Sequence, residues 1–128
     1  TFGGNPLMCA TASTVIDTIK TENLLNNVNS MGNYIVNAFK NKLLQLDGVR
    51  EVRGMGLMIG IELDTEHLKH DCTELVKLAL DKNLLINVTA GNVIRLLPPL
   101  IINQEQADVI IDTVSELVIA SLQKQAAA

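Results

Sequence analysis

Apolar residues recur every three or four positions in the second segment of the chain, which begins near Thr21 and ends at Asp47-Gly48. This spacing places the apolar side chains along one side of an α-helix. The positions in the repeat are Leu24, Val28, Met31, Ile35, Phe39 and Leu46, with one seven-residue step after Phe39 that Lys42-Leu43 fills. We therefore predict a long amphipathic helix with one buried side, with Thr21 as its N-cap and its end at Asp47-Gly48.

Asn5-Pro6 marks an earlier helix, because asparagine is a favoured N-cap and proline suits the first helical position. This helix is predicted to run to about Lys20. It has one apolar stripe, and small residues beside the stripe let another backbone come close. The stripe is Met8, Ala12, Val15 and Ile19, and the small residues are Ala10, Thr11 and Thr14. We expect this helix to be covered on more than one side.

Two later segments carry capping-box patterns, in which an N-cap acceptor is followed three residues later by Glu or Gln. Asp71 with Glu74 predicts a helix that ends near Asn83, a residue type that tolerates the left-handed conformation. Asn103 with Gln106 predicts the last helix. Its inward-facing positions are predicted to be Ala107, Ile110, Ile111, Val114, Leu117 and Val118.

From Val49 the apolar pattern changes to a period of two, which is typical of strand. One strand is predicted here, with a bend or a close backbone approach at its glycines. Its buried face is predicted to be Leu57, Ile59, Ile61 and Leu63. Two further runs, L-L-I-N-V-T and V-I-R-L-L, flank Ala90-Gly91-Asn92 and predict a hairpin that stops at Pro98-Pro99.

The predicted order is therefore helix, helix, strand, helix, hairpin, helix. This order favours the α+β class, with a small, mainly antiparallel sheet and helices packed on one face.

Composition adds limits to this picture. Of the 128 residues, 48% are apolar and only 2% are aromatic, so one aliphatic core can form without metal or disulfide help. The net charge of −4 and the scattered basic residues disfavour nucleic-acid binding, and no apolar run is long enough for a membrane span. Cys9 and Cys72 are expected to be reduced, buried and consistent with the cytoplasm. Because Thr1 is an unusual natural start, we expect a portion of a longer chain.

The first candidate site is the stretch from Thr1 to Pro6, T-F-G-G-N-P. A hydroxyl, two glycines and a helix N-terminus together suit an anion, since free N–H groups and partial positive charge meet there. A simple capped turn that enters a helix explains the same residues, and both interpretations stay open on the residues alone.

The second candidate is Arg95, which lies in the apolar strand G-N-V-I-R-L-L. A guanidinium cannot lose its charge, so apolar surroundings require an anionic partner. That partner is either a structural one, such as Glu62, or the carboxylate of a substrate held by two parallel hydrogen bonds.

Other chemistry is disfavoured. His67 and His70 are three residues apart in a polar segment near Asp71 and Cys72, with no second cluster of ligands elsewhere, so no metal site is predicted. The seven lysines all fall on polar helix faces or near the termini, and none is predicted to be a nucleophile.

Three separated segments are similar to a known family. They are T-F-G-G-N-P-L-M-C-A, V-R-G-M-G-L-M-I-G-I-E-L and L-L-I-N-V-T-A-G-N-V-I-R-L-L-P-P-L-I-I. In this order and spacing they resemble the C-terminal part of class III pyridoxal-phosphate aminotransferases, over essentially the whole chain. The third segment most resembles the members that act on N-acetylornithine in arginine biosynthesis.

The resemblance implies a fold, a cofactor and a homodimer. Residues 1–22 would be the end of the large cofactor-binding domain, and residues 23–128 the small C-terminal domain of a fold-type I enzyme. Thr1 would bind the phosphate of pyridoxal 5′-phosphate in the neighbouring subunit. Arg95 would take the α-carboxylate of glutamate or 2-oxoglutarate. The Schiff-base lysine would lie upstream of Thr1, so the chain alone would be inactive.

Two alternatives stay open. One is another ω-aminotransferase, acting on ornithine, succinylornithine or 4-aminobutyrate. The other is a non-catalytic α+β binding or dimerisation module, with Arg95 in a structural ion pair.

Overall fold

A computed structural model describes residues 3–64, 66 and 72–126 of the chain. Its elements within these ranges are four helices and four strands. They are α1 (Pro6–Thr21), α2 (Leu24–Leu43), β1 (Val49–Met55), β2 (Met58–Leu63), α3 (Glu74–Asp81), β3 (Asn87–Thr89), β4 (Val93–Leu96) and α4 (Gln104–Ala126).

The four strands form one sheet in the order β1-β2-β4-β3, and every neighbouring pair is antiparallel. One face of this sheet is buried together with the apolar sides of α2 and α4 in a single aliphatic core. The other face is exposed or half-buried, and no described helix covers it. The predicted α+β class, with helices on one face of a small antiparallel sheet, is confirmed.

The segment after Val49 is a hairpin, so the prediction of one continuous strand is wrong. Met55 pairs with Met58, and the two residues between them make the turn. Gly56 has φ +54, which suits the first position of a two-residue hairpin turn. The predicted buried face is confirmed, because Leu57 is 4% exposed and Ile59, Ile61 and Leu63 are at most 1% exposed.

The N-caps of the first and last helices are confirmed. The Asn5 side chain accepts hydrogen bonds from the backbone N–H groups of Leu7 and Met8, at 3.0 and 3.4 Å. Asn103 and Gln106 form the predicted capping box, with distances of 2.9 and 3.2 Å between the backbone nitrogens and the side-chain oxygens. Asp71 lies outside the described residues.

The predicted boundaries of α2 are wrong at both ends. Thr21 is the last residue of α1, and its hydroxyl donates a hydrogen bond back to the Asp17 carbonyl at 2.9 Å. The N-cap of α2 is Asn23, which has φ +53. The helix ends at Leu43, and Leu46 is half-buried in the turn that follows. Leu46 thus follows the helix at a position that fits the apolar repeat of the helix, which is why the predicted helix was too long.

Helix α1 is not covered as predicted. None of its residues is buried, and Leu7, Met8, Val15 and Ile16 are each more than half exposed. Cys9 is also exposed, which corrects the expectation of two buried thiols, whereas Cys72 is 3% exposed. Small residues let a neighbour approach α1, but no described element packs over them.

A hydrogen bond joins the two longest helices. The hydroxyl of Tyr34 in α2 donates to Asp108 Oδ1 in α4 at 2.6 Å. This bond is the main reason that the pKa of Tyr34 is raised above its ordinary value of 10.0. Because the pKa of Tyr34 is raised in the folded chain, the hydrogen bond stabilises the fold fully below the unfolded-state pKa. This stabilisation is lost as the pH rises through the folded-state pKa.

Tyr34 is the single tyrosine of the chain, so its ionisation can be followed by ultraviolet absorbance without overlap from another tyrosine. We expect the folded chain to titrate with a pKa above 10.0, and Asp108→Asn to move it back towards that value. The difference in urea midpoint between the wild type and Tyr34→Phe should be constant below pH ~10 and shrink above it. An unshifted titration in the folded wild type would contradict the assignment.

Candidate functional site

A row of four residues crosses the open face of the sheet. The register pairs Arg53 with Gly60, Gly60 with Arg95, and Arg95 with Asn87. The second residue of the row has no side chain, so the two arginines stand on either side of a gap. The register thus places two arginine residues around one space.

This gap opens into a hollow of about 390 Å³. Arg53 and Arg95 line it with Thr89, and its apolar contacts come mainly from methionine and valine side chains. The remaining lining residues are Gly54, Met55, Met58, Ile59, Gly60 and Val93. An apolar hollow with a few convergent polar groups is the usual form of a small-molecule site.

Arg53 bridges two carboxylates on this face. Glu51 and Glu62 stand directly opposite each other on β1 and β2, an arrangement that is unfavourable for like charges. Arg53 Nη1 lies 2.7 Å from Glu51 Oε2 and 2.6 Å from Glu62 Oε2. The hydrogen bond to Glu62, followed by the one to Glu51, raises the pKa of Arg53. Arg50 adds a longer contact of 3.4 Å to the other oxygen of Glu62.

Arg95 has no carboxylate within ion-pair distance among the described residues. The suggested structural partner, Glu62, pairs with Arg53 and Arg50 instead, so the Glu62–Arg95 pair is not formed. Arg95 is also exposed within this chain. Only Val93 and Leu97 flank it on its own side of the strand, because the apolar neighbours Ile94 and Leu96 face the core.

The strand that carries Arg95 is held at both ends. At its start, the Asn92 side chain donates to the Leu63 carbonyl at 2.9 Å, and the Leu63 N–H donates to the Asn92 carbonyl at 2.9 Å. After its end, the Asn27 side chain donates to the carbonyls of Leu100 and Ile102 at 2.8 and 3.0 Å. These bonds fix the backbone beneath Arg95, and a fixed backbone suits a binding residue.

The predicted anion loop is described only in part, because Thr1 and Phe2 lie outside the described residues. Gly3 and Gly4 are exposed, Gly4 has φ +77, and a Cβ on either would meet nothing within 4 Å. The capped turn at Asn5 is present. The role of Thr1 in binding an anion stays a prediction.

Other predicted chemistry is placed as follows. His67, His70 and Asp71 lie outside the described ranges. Within those ranges, no three His, Cys, Asp or Glu residues form a group that could hold a metal. Lys42, Lys82 and Lys124 form ion pairs with acidic residues of other helices, and no described lysine lines the hollow. No helix in the described part of the chain is long and apolar enough to cross a bilayer.

The sequence did not reveal Arg53. It lies in V-R-E-V-R-G, where alternating charges are common on any exposed strand face. The only signal was the downstream glycine at position 60, and the pairing of Arg53 with that glycine depends on the hairpin turn, which places Met55 opposite Met58.

Curated relatives match nearly the whole chain. Acetylornithine aminotransferase 1 of Bordetella pertussis is 46% identical over 98% of this chain, which corresponds to 30% of that protein. Acetylornithine aminotransferase of Aquifex aeolicus is 48% identical over 91% of the chain and 28% of that protein. The chain thus spans about a third or less of the length of these relatives.

Solved structures agree with the fold. The ornithine aminotransferase of Toxoplasma gondii superposes with a TM-score of 0.88 at 28% identity, over 98% of this chain and 29% of that one. The acetylornithine aminotransferase of Elizabethkingia anophelis gives 0.82 at 34% identity, over 94% of this chain and 31% of that one. The family model for class III aminotransferases matches residues 1–118. With this match and these relatives, the chain belongs to the class III aminotransferase family.

Proposed function

We propose that this chain is the small-domain portion of a pyridoxal-phosphate-dependent aminotransferase that transfers an amino group between N-acetylornithine and 2-oxoglutarate in arginine biosynthesis. The sequence relatives named above support this donor. The observation that carries the proposal is the Arg95 guanidinium, which lines an open hollow and has no carboxylate partner among the described residues. Because the chain spans less than a third of its relatives, the activity is that of the full-length parent protein.

Arg95 is proposed to bind the α-carboxylate of glutamate or 2-oxoglutarate. A guanidinium presents two parallel N–H donors that match the two oxygens of a carboxylate. The residue that pairs with Arg95 on β2 is a glycine, whose missing side chain leaves room for the substrate. The anchored ends of β4 fix the position of Arg95. One arginine then attracts an anionic substrate to a chain of net charge −4.

The described residues fit a supporting role towards pyridoxal 5′-phosphate. The space beside Gly3 and Gly4 is open, and the two glycines precede a helix N-terminus, which is the kind of place where a phosphate binds. Asn5 already accepts from two N–H groups of the first turn, so we propose Thr1 as the principal ligand from this chain. When bound, the cofactor supplies the electron sink for amino-group transfer.

We further propose that the parent is a cytoplasmic homodimer, in which Thr1 reaches the cofactor phosphate of the partner subunit. The division into residues 1–22 and 23–128 is part of the same proposal. The exposed apolar side chains of α1 support the homodimer and the domain division, since such a surface suits contact with further protein. The 128-residue chain alone is expected to be inactive, because it spans less than a third of the relatives that it matches.

A second candidate donor is ornithine. The structural similarity to the Toxoplasma gondii ornithine aminotransferase favours it, with a TM-score of 0.88. The identity of 28% in that pair is lower than the 46% shared with the Bordetella pertussis relative, so acetylornithine is the preferred assignment.

The test is a donor comparison in the full-length parent protein, with 2-oxoglutarate as the acceptor. We expect kcat/KM for N-acetylornithine to exceed that for ornithine and for 4-aminobutyrate by at least about tenfold. Reactions without 2-oxoglutarate give the background. A preference for ornithine or 4-aminobutyrate would overturn the donor assignment, and no transamination with any donor would overturn the function.

A further inference from the structure

Glu62 lies within reach of Arg95 on the open face of the sheet. Gly60 pairs with Arg95 and Glu62 pairs with Val93, so Glu62 and Arg95 are diagonal neighbours on adjacent strands. Such diagonal neighbours are about 7–8 Å apart at the backbone, a distance that long side chains can bridge. Opposite charges at these positions attract, and an ion pair between them would occupy the guanidinium that we propose for the substrate.

The structure shows Glu62 held elsewhere. One of its oxygens lies 2.6 Å from Arg53, and the other lies 3.4 Å from Arg50. The Glu62 side chain is only 19% exposed, whereas Arg53 is 45% and Arg50 is 68% exposed. Two arginines and two glutamates on β1 and β2 thus balance one another, without a charge from β4.

Arg53 lies beside Gly60. A Cβ at residue 60 would lie 3.8 Å from both Cγ and Nε of Arg53, an ordinary contact distance, so the arginine stem passes alongside the glycine. The Arg53 guanidinium then meets Glu62, which lies two residues after Gly60 on β2. The pKa of Arg53 is raised chiefly by this hydrogen bond, which agrees with a short contact between opposite charges. Arg50 makes the longer contact to Glu62 and therefore binds it more weakly than Arg53 does.

We infer that Arg53 is a positioning residue: it holds the Glu62 carboxylate away from Arg95 and so keeps the Arg95 guanidinium available for the substrate carboxylate. This inference rests on the proposed function of Arg95. Arg53 acts through Glu62, and its loss should weaken keto-acid binding only when Glu62 is present as a competitor.

The experiment uses the full-length parent enzyme with its cofactor and measures KM and kcat for 2-oxoglutarate. We expect Arg53→Met to raise KM roughly three- to tenfold, because Glu62 then competes for Arg95, and to leave kcat within about twofold. The double variant Arg53→Met with Glu62→Gln should return KM to within about twofold of the wild type. Glu62→Gln alone should leave KM within the same limit.

Controls separate this effect from general ones. Lys82→Met removes a positive charge that pairs with Glu116, and neither residue lines the hollow. This variant should leave KM unchanged. Circular dichroism checks that Arg53→Met folds, and Arg53→Gln replaces it in every arm if it does not. An unchanged KM in the arginine variant, or a raised KM that Glu62→Gln does not restore, would overturn the inference.

Arg95→Ala in the same assay separates the two levels of the proposal. If it leaves KM and kcat for 2-oxoglutarate unchanged, the proposed function of Arg95 fails. If it weakens the keto acid while Arg53→Met has no effect, the role of Arg95 stands and the positioning role of Arg53 fails.

Discussion

Substitution of Arg95 by alanine in the full-length parent is expected to lower kcat/KM for 2-oxoglutarate by about 100-fold or more. A hydrogen bond to a charged group contributes about 1.5–3 kcal/mol, and a bidentate clamp supplies two of them. A loss of about 3 kcal/mol or more corresponds to about two powers of ten in the rate constant. Steady-state kinetics with 2-oxoglutarate as the varied substrate measures the effect directly.

Arg95→Lys is the matched control for charge. Lysine keeps the positive charge but presents a single point of contact, so it should recover little of the lost kcat/KM. Full recovery by lysine would show that charge alone is needed and would contradict the bidentate clamp. An unchanged kcat/KM in Arg95→Ala would contradict any role for this residue in substrate binding.

Gly32→Ala is expected to destabilise the chain by about 3 kcal/mol or more, although alanine favours helix over glycine by about 1 kcal/mol. A Cβ at residue 32 would lie 2.1 Å from the carbonyl oxygen of Gly56 and 2.5 Å from its carbonyl carbon. Both atoms are backbone, in a tight turn where Gly56 has φ +54, so they cannot rotate away as a side chain would. Helix α2 and the β1–β2 turn would have to separate, and the core beneath them would open.

Gly60→Ala is the matched control for that substitution. Its Cβ would lie 3.7 Å from Val93 and 3.8 Å from Arg53, which are ordinary contact distances. The change in unfolding free energy should stay within about 1 kcal/mol. Urea unfolding of both variants measures the difference, and equal midpoints for Gly32→Ala and Gly60→Ala would contradict the close packing of α2 on the turn.

The periodic pattern predicted most of the fold correctly, because α2, α4, β1, β2 and β4 each bury one side. One exception, at Gly56, has a clear physical cause. Alternation continues on both sides of the turn, so the segment resembles one strand unless the phase is followed. Val52 and Leu57 are both buried and are an odd number of residues apart, which a single alternating strand does not allow. That shift in phase marks the turn.

The candidate site was predictable only where one residue carried the signal. A charge that cannot be lost, placed in an apolar strand, indicated Arg95 as a candidate, although the structure exposes Arg95 on the open face and the expected apolar surroundings are absent. The role of Arg53 depends instead on pairing between strands, on the hairpin turn that sets this pairing, and on a glycine that stands opposite. Pairings of this kind are set by the folded chain as a whole. Thr1 and the domain division stay predictions.

The most direct measurement of the central claim separates the two half-reactions of the full-length Arg95→Ala variant by rapid mixing. Arg95 is proposed to hold the carboxylate of glutamate and 2-oxoglutarate, and N-acetylornithine reacts at its distal amine. We therefore predict that the half-reaction with 2-oxoglutarate slows by about 100-fold or more, while the half-reaction with N-acetylornithine changes by less than about threefold. An equal loss in both half-reactions, or no loss in either, would contradict the claim that Arg95 is the carboxylate clamp for the keto acid.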